Sequence, residues 1–303
     1  MPPIVEQIKN HPKDSPAPPD SAVVGHAEAG SSANTRRAYA ADWKHFSAWC
    51  RRQGLPIMPP DPAVVALYIR ACASGSSNSA GARGGKPNTV STIERRLSAL
   101  SSSYSQASLP LDRSAPAIAS VLADIRSTRA APPRQKEAVL PEELVAMIET
   151  LERGTLRGLR DRAMLLIGFA GGLRRSDITG LDLGRDQTHD GRGWIEISDK
   201  GMLVTLRGKT GWREVEIGRG SSEATCPVAA VNAWIRFARL AKGPLFRRVT
   251  GRGKEVGPGR LNDQEVARLV KKTALAAGVR GDLSETERGA KFAAHSLRAG
   301  SAA

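Results

Sequence analysis

The stretch RAAPPRQKEAV, residues 129–139, constrains the fold of this chain more than any other, because proline mixed with charge reads as a linker and the apolar pattern differs on its two sides. Before it, apolar residues recur three and four apart, the period of an amphipathic helix. In NTRRAYAADWKHFSAWCRRQG, Tyr39, Trp43, Phe46 and Cys50 share one face, opened by Asn34 and closed by Gly54. AVVALYIRACA, NTVSTIERRLSALSSSYSQA and SAPAIASVLADIRSTRA predict three more helices, the second of these with Val90, Ile93, Leu97 and Leu100 on one side. After the linker, LPEELVAMIETLE and TLRGLRDRAMLLIGFAGG read as helices, the latter broken by Gly171-Gly172. WIEIS, MLVTLRG and REVEIGR alternate or run β-branched, separated by tight turns at Asp199-Lys200-Gly201 and Lys209-Thr210-Gly211, which predicts a three-stranded antiparallel sheet. Pro227 opens a further helix, and Asn262-x-x-Glu265 is a capping-box variant before VARLVKKTALAAG. The expected fold is mainly α with a small antiparallel β-sheet, an α+β chain. Its expected parts are a disordered leader over 1–30, an all-α four-helix domain over 31–128, the linker over 129–139, and a mixed domain over 140–303.

Charge narrows the partners. The chain holds 45 Lys and Arg against 30 Asp and Glu, a formal net charge of +15. Residues 1–30 carry two lysines against four acids, so the remaining residues carry +17 and the basicity belongs to the folded part. A field of that sign favours a polyanion, and nucleic acid is the usual one because each neutralised phosphate releases counterions. A generally arginine-heavy composition would give the same balance. No run approaches the ~18 apolar residues of a membrane span, and the start lacks the basic-then-apolar layout of a secretory signal. A cytoplasmic, nucleoid-associated protein is expected. Cys50, Cys72 and Cys226 are odd in number and widely spaced, which predicts core thiols in place of a disulfide or zinc site.

Three separated pieces carry chemistry: GGLRRSD with Arg174, GKTG with Lys209 in the strand-to-strand turn, and HSLR with His295 and Arg298. Singly, each has a plain reading as a surface arginine, a solvated turn lysine and a core histidine. In that order and setting they resemble the tyrosine recombinases, the phage integrase-like site-specific recombinases. In that family an arginine follows a Gly-Leu pair at a helix end, a lysine sits in a β-hairpin, and His-x-x-Arg opens a later helix. The resemblance runs from about residue 31: NTRRAYAADWKHFSAWC and KPNTVSTIERRLSAL are similar to the SAM-like core-binding domain, and FAGGLRRSDITGLDL, TCPVAAVNAWI, GPLFRRV and HSLRAG to the catalytic domain.

The resemblance implies breakage and rejoining of DNA through a 3′-phosphotyrosyl intermediate. Negative charge then builds on the non-bridging oxygens of the scissile phosphate. Two guanidiniums suit it, because their planar forks bind phosphate bidentately and stay protonated, which is the role implied for Arg174 and Arg298. Lys209 would protonate the leaving 5′-oxygen, with Arg207 and Arg213 nearby, and His295 would take the tyrosine proton or hold a phosphate oxygen. Asp177, three residues after Arg174, reads either as a carboxylate orienting an active-site cation or as a helix-start acid. Arg36, Arg37, Lys44, Lys86, Arg95 and Arg96 in the first domain and Arg213 in the second are candidate DNA contacts. The implied partners are double-stranded DNA and, for the family, a homotetramer on it. The scheme needs no metal or cofactor, and the sequence has no phosphate-binding Gly-rich loop, H-E-x-x-H or clustered acids for two Mg²⁺ ions.

One departure stands out. The family's nucleophilic tyrosine lies downstream of His-x-x-Arg, whereas Tyr39, Tyr68 and Tyr104 all precede it; Tyr39 and Tyr68 read as core and Tyr104 as more exposed. The nucleophile is therefore absent from these residues. The expectation is a fragment of a longer integrase, inactive in cleavage by itself and in question as a tetramer. The alternative is a non-catalytic DNA-binding protein, a truncated relic, decoy or regulator. A type IB topoisomerase shares the chemistry, but the four-helix domain and HSLRAG favour a recombinase.

Overall fold

The computed structural model describes residues 33–78, 85–129, 136–208, 211–250 and 253–301. The expected leader and the central part of the expected linker lie outside them. The chain divides into two compact units between Pro132 and Pro133.

The first unit is all-α: α1 (Ala33–Gln53), α2 (Pro62–Ser74), α3 (Val90–Gln106) and α4 (Pro116–Thr128). Pro62 at the first turn, the Asp61 cap accepting from the Ala63 N–H at 2.8 Å, and left-handed Gly75 (φ 86°) set the ends of α2. Phe46, Tyr68, Ile69, Ile93, Leu97, Leu100, Tyr104 and Ile118 fill the core. Phe46 meets Tyr68 nearly edge-on, with ring centroids 5.0 Å apart. Tyr104 corrects the sequence reading: it is only 1% exposed and its hydroxyl donates to the Ile57 carbonyl at 2.8 Å. Tyr39 is half-buried and outside the core cluster.

The second unit wraps α6. Its elements are α5 (Pro141–Glu149), α6 (Leu156–Ala170), α7 (Arg175–Gly180), β1 (Leu181–Leu183), β2 (Gly193–Ile197), β3 (Gly201–Gly208), β4 (Gly211–Gly218), α8 (Pro227–Phe237), β5 (Gly243–Pro244), β6 (Arg247–Thr250), β7 (Glu255–Arg260), α9 (Asp263–Ala276), α10 (Glu285–Lys291) and α11 (Ala294–Gly300). The expected antiparallel trio is present as β2, β3 and β4, but the sheet has five strands in the order β4-β3-β2-β1-β5, with β1 parallel to β2. A separate ribbon pairs β6 with β7. β1 and β5 are three and two residues long, too short to show an alternation, and only their pairing partners make them strands. Asn262 accepts from the Gln264 N–H at 2.8 Å, while Glu265 pairs with Arg268, so the expected box is a simple cap. The three cysteines are free and buried, and burial pushes the Cys50 thiol up to about 11.

From Lys136 the second half of the expected linker belongs to this unit. The Glu137 N–H donates to the Lys291 carbonyl at 3.1 Å and the Val139 N–H to the Ser296 carbonyl at 3.0 Å.

A buried charge knot joins the sheet to β7. Asp182 of β1, fully buried, accepts from the Thr188 N–H at 2.7 Å, the Thr188 hydroxyl at 2.9 Å and the Arg260 guanidinium at 2.7 Å. Arg260 also donates to the Thr179 and Leu181 carbonyls, which end α7. Removing Asp182 leaves Arg260 only the half-exposed Asp190 carboxylate at 3.2 Å and strands the Thr188 N–H, so much of a buried charge goes uncompensated. Asp182→Ala is expected to cost about 3–5 kcal/mol, read from the shift in urea midpoint at unchanged slope.

Candidate active site

Two helix starts and a hairpin form the candidate site. Helix α6 stops at Ala170, and Gly172, left-handed at φ 54°, turns the chain into buried Leu173 and then Arg174. Arg174 is the N-cap of α7, and its backbone N–H donates to Asp177 Oδ2 at 3.2 Å. Its side chain is 55% exposed and only loosely paired, Nη1 lying 3.9 Å from Asp177 Oδ2. The neighbouring Arg175 is spent elsewhere, 3.1 Å from Asp263 of α9.

Helix α11 carries the other arginine. Ser296, fully buried, caps it by accepting the Ala293 N–H at 3.1 Å, and Leu297 points into the core. Three residues apart on a helix, His295 and Arg298 share a face, and His295 is exposed. Arg298 lies against the Gly172 turn: a Cβ at Gly172 would stand 4.0 Å from Arg298 Cγ. Neither the His295 nor the Arg298 side chain makes a hydrogen bond or ion pair among the described residues.

Helices α7 and α11 meet at one glycine of α6. A Cβ at Gly168 would sit 2.8 Å from Ile178 Cδ1 and 3.2 Å from Leu297 Cδ1, so the side chain that would separate the helices is missing. Gly300 lets α11 press on the chain entering the unit, since a Cβ there would stand 1.8 Å from the Val139 carbonyl oxygen. The motif spelling HSLRAG thus carries packing and capping requirements as well as the candidate pair His295 and Arg298.

The hairpin completes the set. Gly208 pairs with Gly211, leaving Lys209 and Thr210 between β3 and β4; both lie outside the described residues. Arg213 of β4 donates to Asp177 Oδ2 at 3.0 Å. Asp177 therefore accepts the N-cap N–H at the start of α7, as a helix-start acid does, and also holds the Arg213 cation. The sequence pointed Arg213 at DNA and held no sign of its carboxylate partner 36 residues earlier.

In the first unit Lys44 and Lys86 are exposed, as are Arg36 and Arg37, the latter bonded to Asn34. Arg95 pairs with buried Asp42. Arg96 corrects the sequence reading as a DNA contact. Its side chain is 11% exposed and donates to Cys72 Sγ at 3.1 Å and the Tyr68 hydroxyl at 3.3 Å, near Asp42. Burial pushes the Asp42 carboxyl and the Tyr68 and Tyr104 phenols up.

No protein-family model matches the sequence. An "Integrase/recombinase xerD homolog" of Selenomonas ruminantium is 30% identical over 282 residues, covering 90% of this chain and 74% of that protein. The chain belongs to the tyrosine recombinase family. "Tyrosine recombinase XerC 1" of Ralstonia nicotianae is 30% identical over 212 residues, and "Tyrosine recombinase XerC" of Myxococcus xanthus 26% over 310 positions, covering 68% and 98% of this chain and 61% and 85% of those proteins. Two solved structures of the XerH site-specific recombinase bound to difH substrates, pre- and post-cleavage, superpose with a TM-score of 0.50 at 15% identity. The chain covers 88% and 86% of itself in these matches, and 66% and 65% of the XerH chains, just under two thirds of each. The likeness supports an α+β recombinase fold, and among the described residues no helix is long and apolar enough to cross a membrane.

In this recombinase the segment before His295 is held by charge. Lys291 lies 2.6 Å from Glu137, Arg280 donates to the same carboxylate, and Lys136 donates to the Ala290 carbonyl. These hydrogen bonds, Lys291 first, hold the Glu137 carboxyl below its usual value. A depressed acid stabilises above its unfolded pKa, and that contribution fades as pH falls through the lowered folded value. Protection of the α10 and α11 amides, taken relative to their intrinsic exchange rate at each pH, is expected to fall on acidification below about pH 4.5. In Glu137→Gln that protection is expected to be lower at neutral pH and flatter with pH.

Proposed function

We propose that this chain supplies the DNA-binding and phosphate-activating parts of a site-specific recombinase that breaks and rejoins duplex DNA through a 3′-phosphotyrosyl linkage. The observation that carries the reading is Arg298 seated against the Gly172 turn that delivers Arg174, with Arg298 in no ion pair among the described residues and Arg174 only loosely paired, 3.9 Å from Asp177. Two such forks meet the charge that grows on the non-bridging oxygens as phosphorus becomes five-coordinate. Lys209 donates a proton to the departing 5′-oxygen, and exposed His295 receives the nucleophile's proton or steadies a phosphate oxygen. Lys44, Lys86, Arg36 and Arg37 contact the DNA backbone. The XerH structures are described as complexes with a difH substrate, and the same class of partner, a DNA duplex, is proposed here. The working assembly on this reading is a homotetramer on DNA in the cytoplasm, at the nucleoid.

The nucleophile is proposed to lie outside the chain's three tyrosines, all of which belong to the first unit. The 303-residue chain is then expected to bind duplex DNA, chosen from a random library, without forming a covalent adduct on a nicked suicide substrate. Affinity is expected to fall with salt at a slope of about 0.9 per neutralised phosphate. Hydrogen peroxide can stand in for the tyrosine oxygen: it bonds to phosphorus as the bond to the 5′-oxygen breaks and that oxygen takes a proton. Arg174→Ala is expected to lower this cleavage by roughly 10²–10³ with binding largely intact. Binding that collapses with cleavage, or a tyrosine adduct on the unextended chain, would overturn the respective assignment.

A further inference from the structure

We infer that Arg213 is a positioning residue that occupies Asp177 so that the Arg174 guanidinium stays available to phosphate. The inference rests on the role proposed for Arg174. Asp177 Oδ2 already holds the Arg174 backbone N–H at 3.2 Å and the Arg213 guanidinium at 3.0 Å. The Arg174 side chain stands off at 3.9 Å, beyond hydrogen-bond range, although three residues apart on a helix start is a favourable spacing for a closer pair. Asp177 is 15% exposed, so its charge is poorly screened and attracts whichever cation reaches it. Arg213 wins through its place on β4. Side chains alternate along a strand, so Arg213, Val215 and Ile217 share a face. That face meets the end of α6, where Ile217 Cδ1 would lie 3.0 Å from a Cβ at Gly171. Without Arg213, the carboxylate is free to draw Arg174 down onto α7 and away from the substrate.

The pair also connects two catalytic pieces. Gly208 pairs with Gly211, so Arg213 sits two residues beyond the turn that contains Lys209. The Asp177–Arg213 bond fastens β4 to the start of α7, which sets the base of the hairpin relative to Arg174. The competing role is a direct phosphate contact by Arg213, which is 41% exposed. The two roles separate because a captured Arg174 is released by removing the capturing charge, whereas a lost phosphate contact is not.

The test uses peroxide-supported cleavage and DNA affinity on the same selected duplex. Arg213→Ala is expected to lower kcat by roughly ten- to a hundredfold, the scale of a catalytic group held out of place, with KM for DNA and the salt slope unchanged. Asp177→Asn in that background is expected to restore most of the rate, since the amide oxygen still caps α7 but no longer attracts Arg174. Arg213→Lys is expected to restore much of it alone. A raised KM, a salt slope reduced by about 0.9, and no rescue by Asp177→Asn would overturn the inference in favour of direct contact. Should Arg213→Ala unfold, Arg213→Gln with and without Asp177→Asn makes the same comparison. Arg174→Ala run alongside separates the two failures. If it leaves peroxide cleavage intact, the role of Arg174 is wrong. If it abolishes cleavage while Arg213→Ala changes nothing, only the positioning role falls.

Discussion

The candidate site depends on a missing side chain. At Gly168 the surface of α6 is low enough for Ile178 of α7 and Leu297 of α11 to touch the same helix turn. One helix start then delivers Arg174 and the other His295 and Arg298, segments more than a hundred residues apart in the chain. A protein interior is close-packed, so an added methyl group at that point must displace a neighbour. Gly172 and Gly300 extend the same logic, one by a left-handed turn and the other by near-contact with the Val139 carbonyl.

The second constraint is the disposal of positive charge. A net charge of +15 invites every arginine to be read as a phosphate contact. The fold uses many of them internally instead. Arg96 serves the first unit's core, Arg260 the Asp182 knot, and Arg160 pairs with Asp161 while reaching the Arg247 carbonyl. Arg162 donates to the Ile148 and Ala224 carbonyls, and burial lowers its pKa. Arg175 and Arg213 each satisfy a carboxylate beside the site. Arg174 is only loosely paired, 3.9 Å from Asp177, and Arg298, packed against the Gly172 turn, has no ion-pair partner among the described residues. A basic composition speaks for an anionic partner in general; the ion-pair partners say which residues remain to meet it.

Much of the fold was legible because it rests on periodicity. The helices of the first unit and the β2-β3-β4 trio follow from apolar spacings of three to four and of two. The short strands β1 and β5, the ribbon β6-β7 and the helix α10 were not: two or three residues carry no period, the Gly-Pro-Gly within β7 reads as a turn, and α10 buries none of its side chains. Tyr104 and Arg96 were misread for a related reason. Both lie on a polar-looking stretch of α3, and only packing against α1 and α2 turns them inward.

The residue types proposed for the site and their order were present in the linear chain, because the phosphate chemistry proposed for them calls for forked cations and a proton donor whatever fold presents them. Which arginine of GGLRRSD remains available, which carboxylate holds Arg213, and how α7 and α11 come within reach of each other were decided by tertiary structure alone. Those choices turn on distances between elements far apart in sequence, and neither helical nor strand periodicity carries information about them.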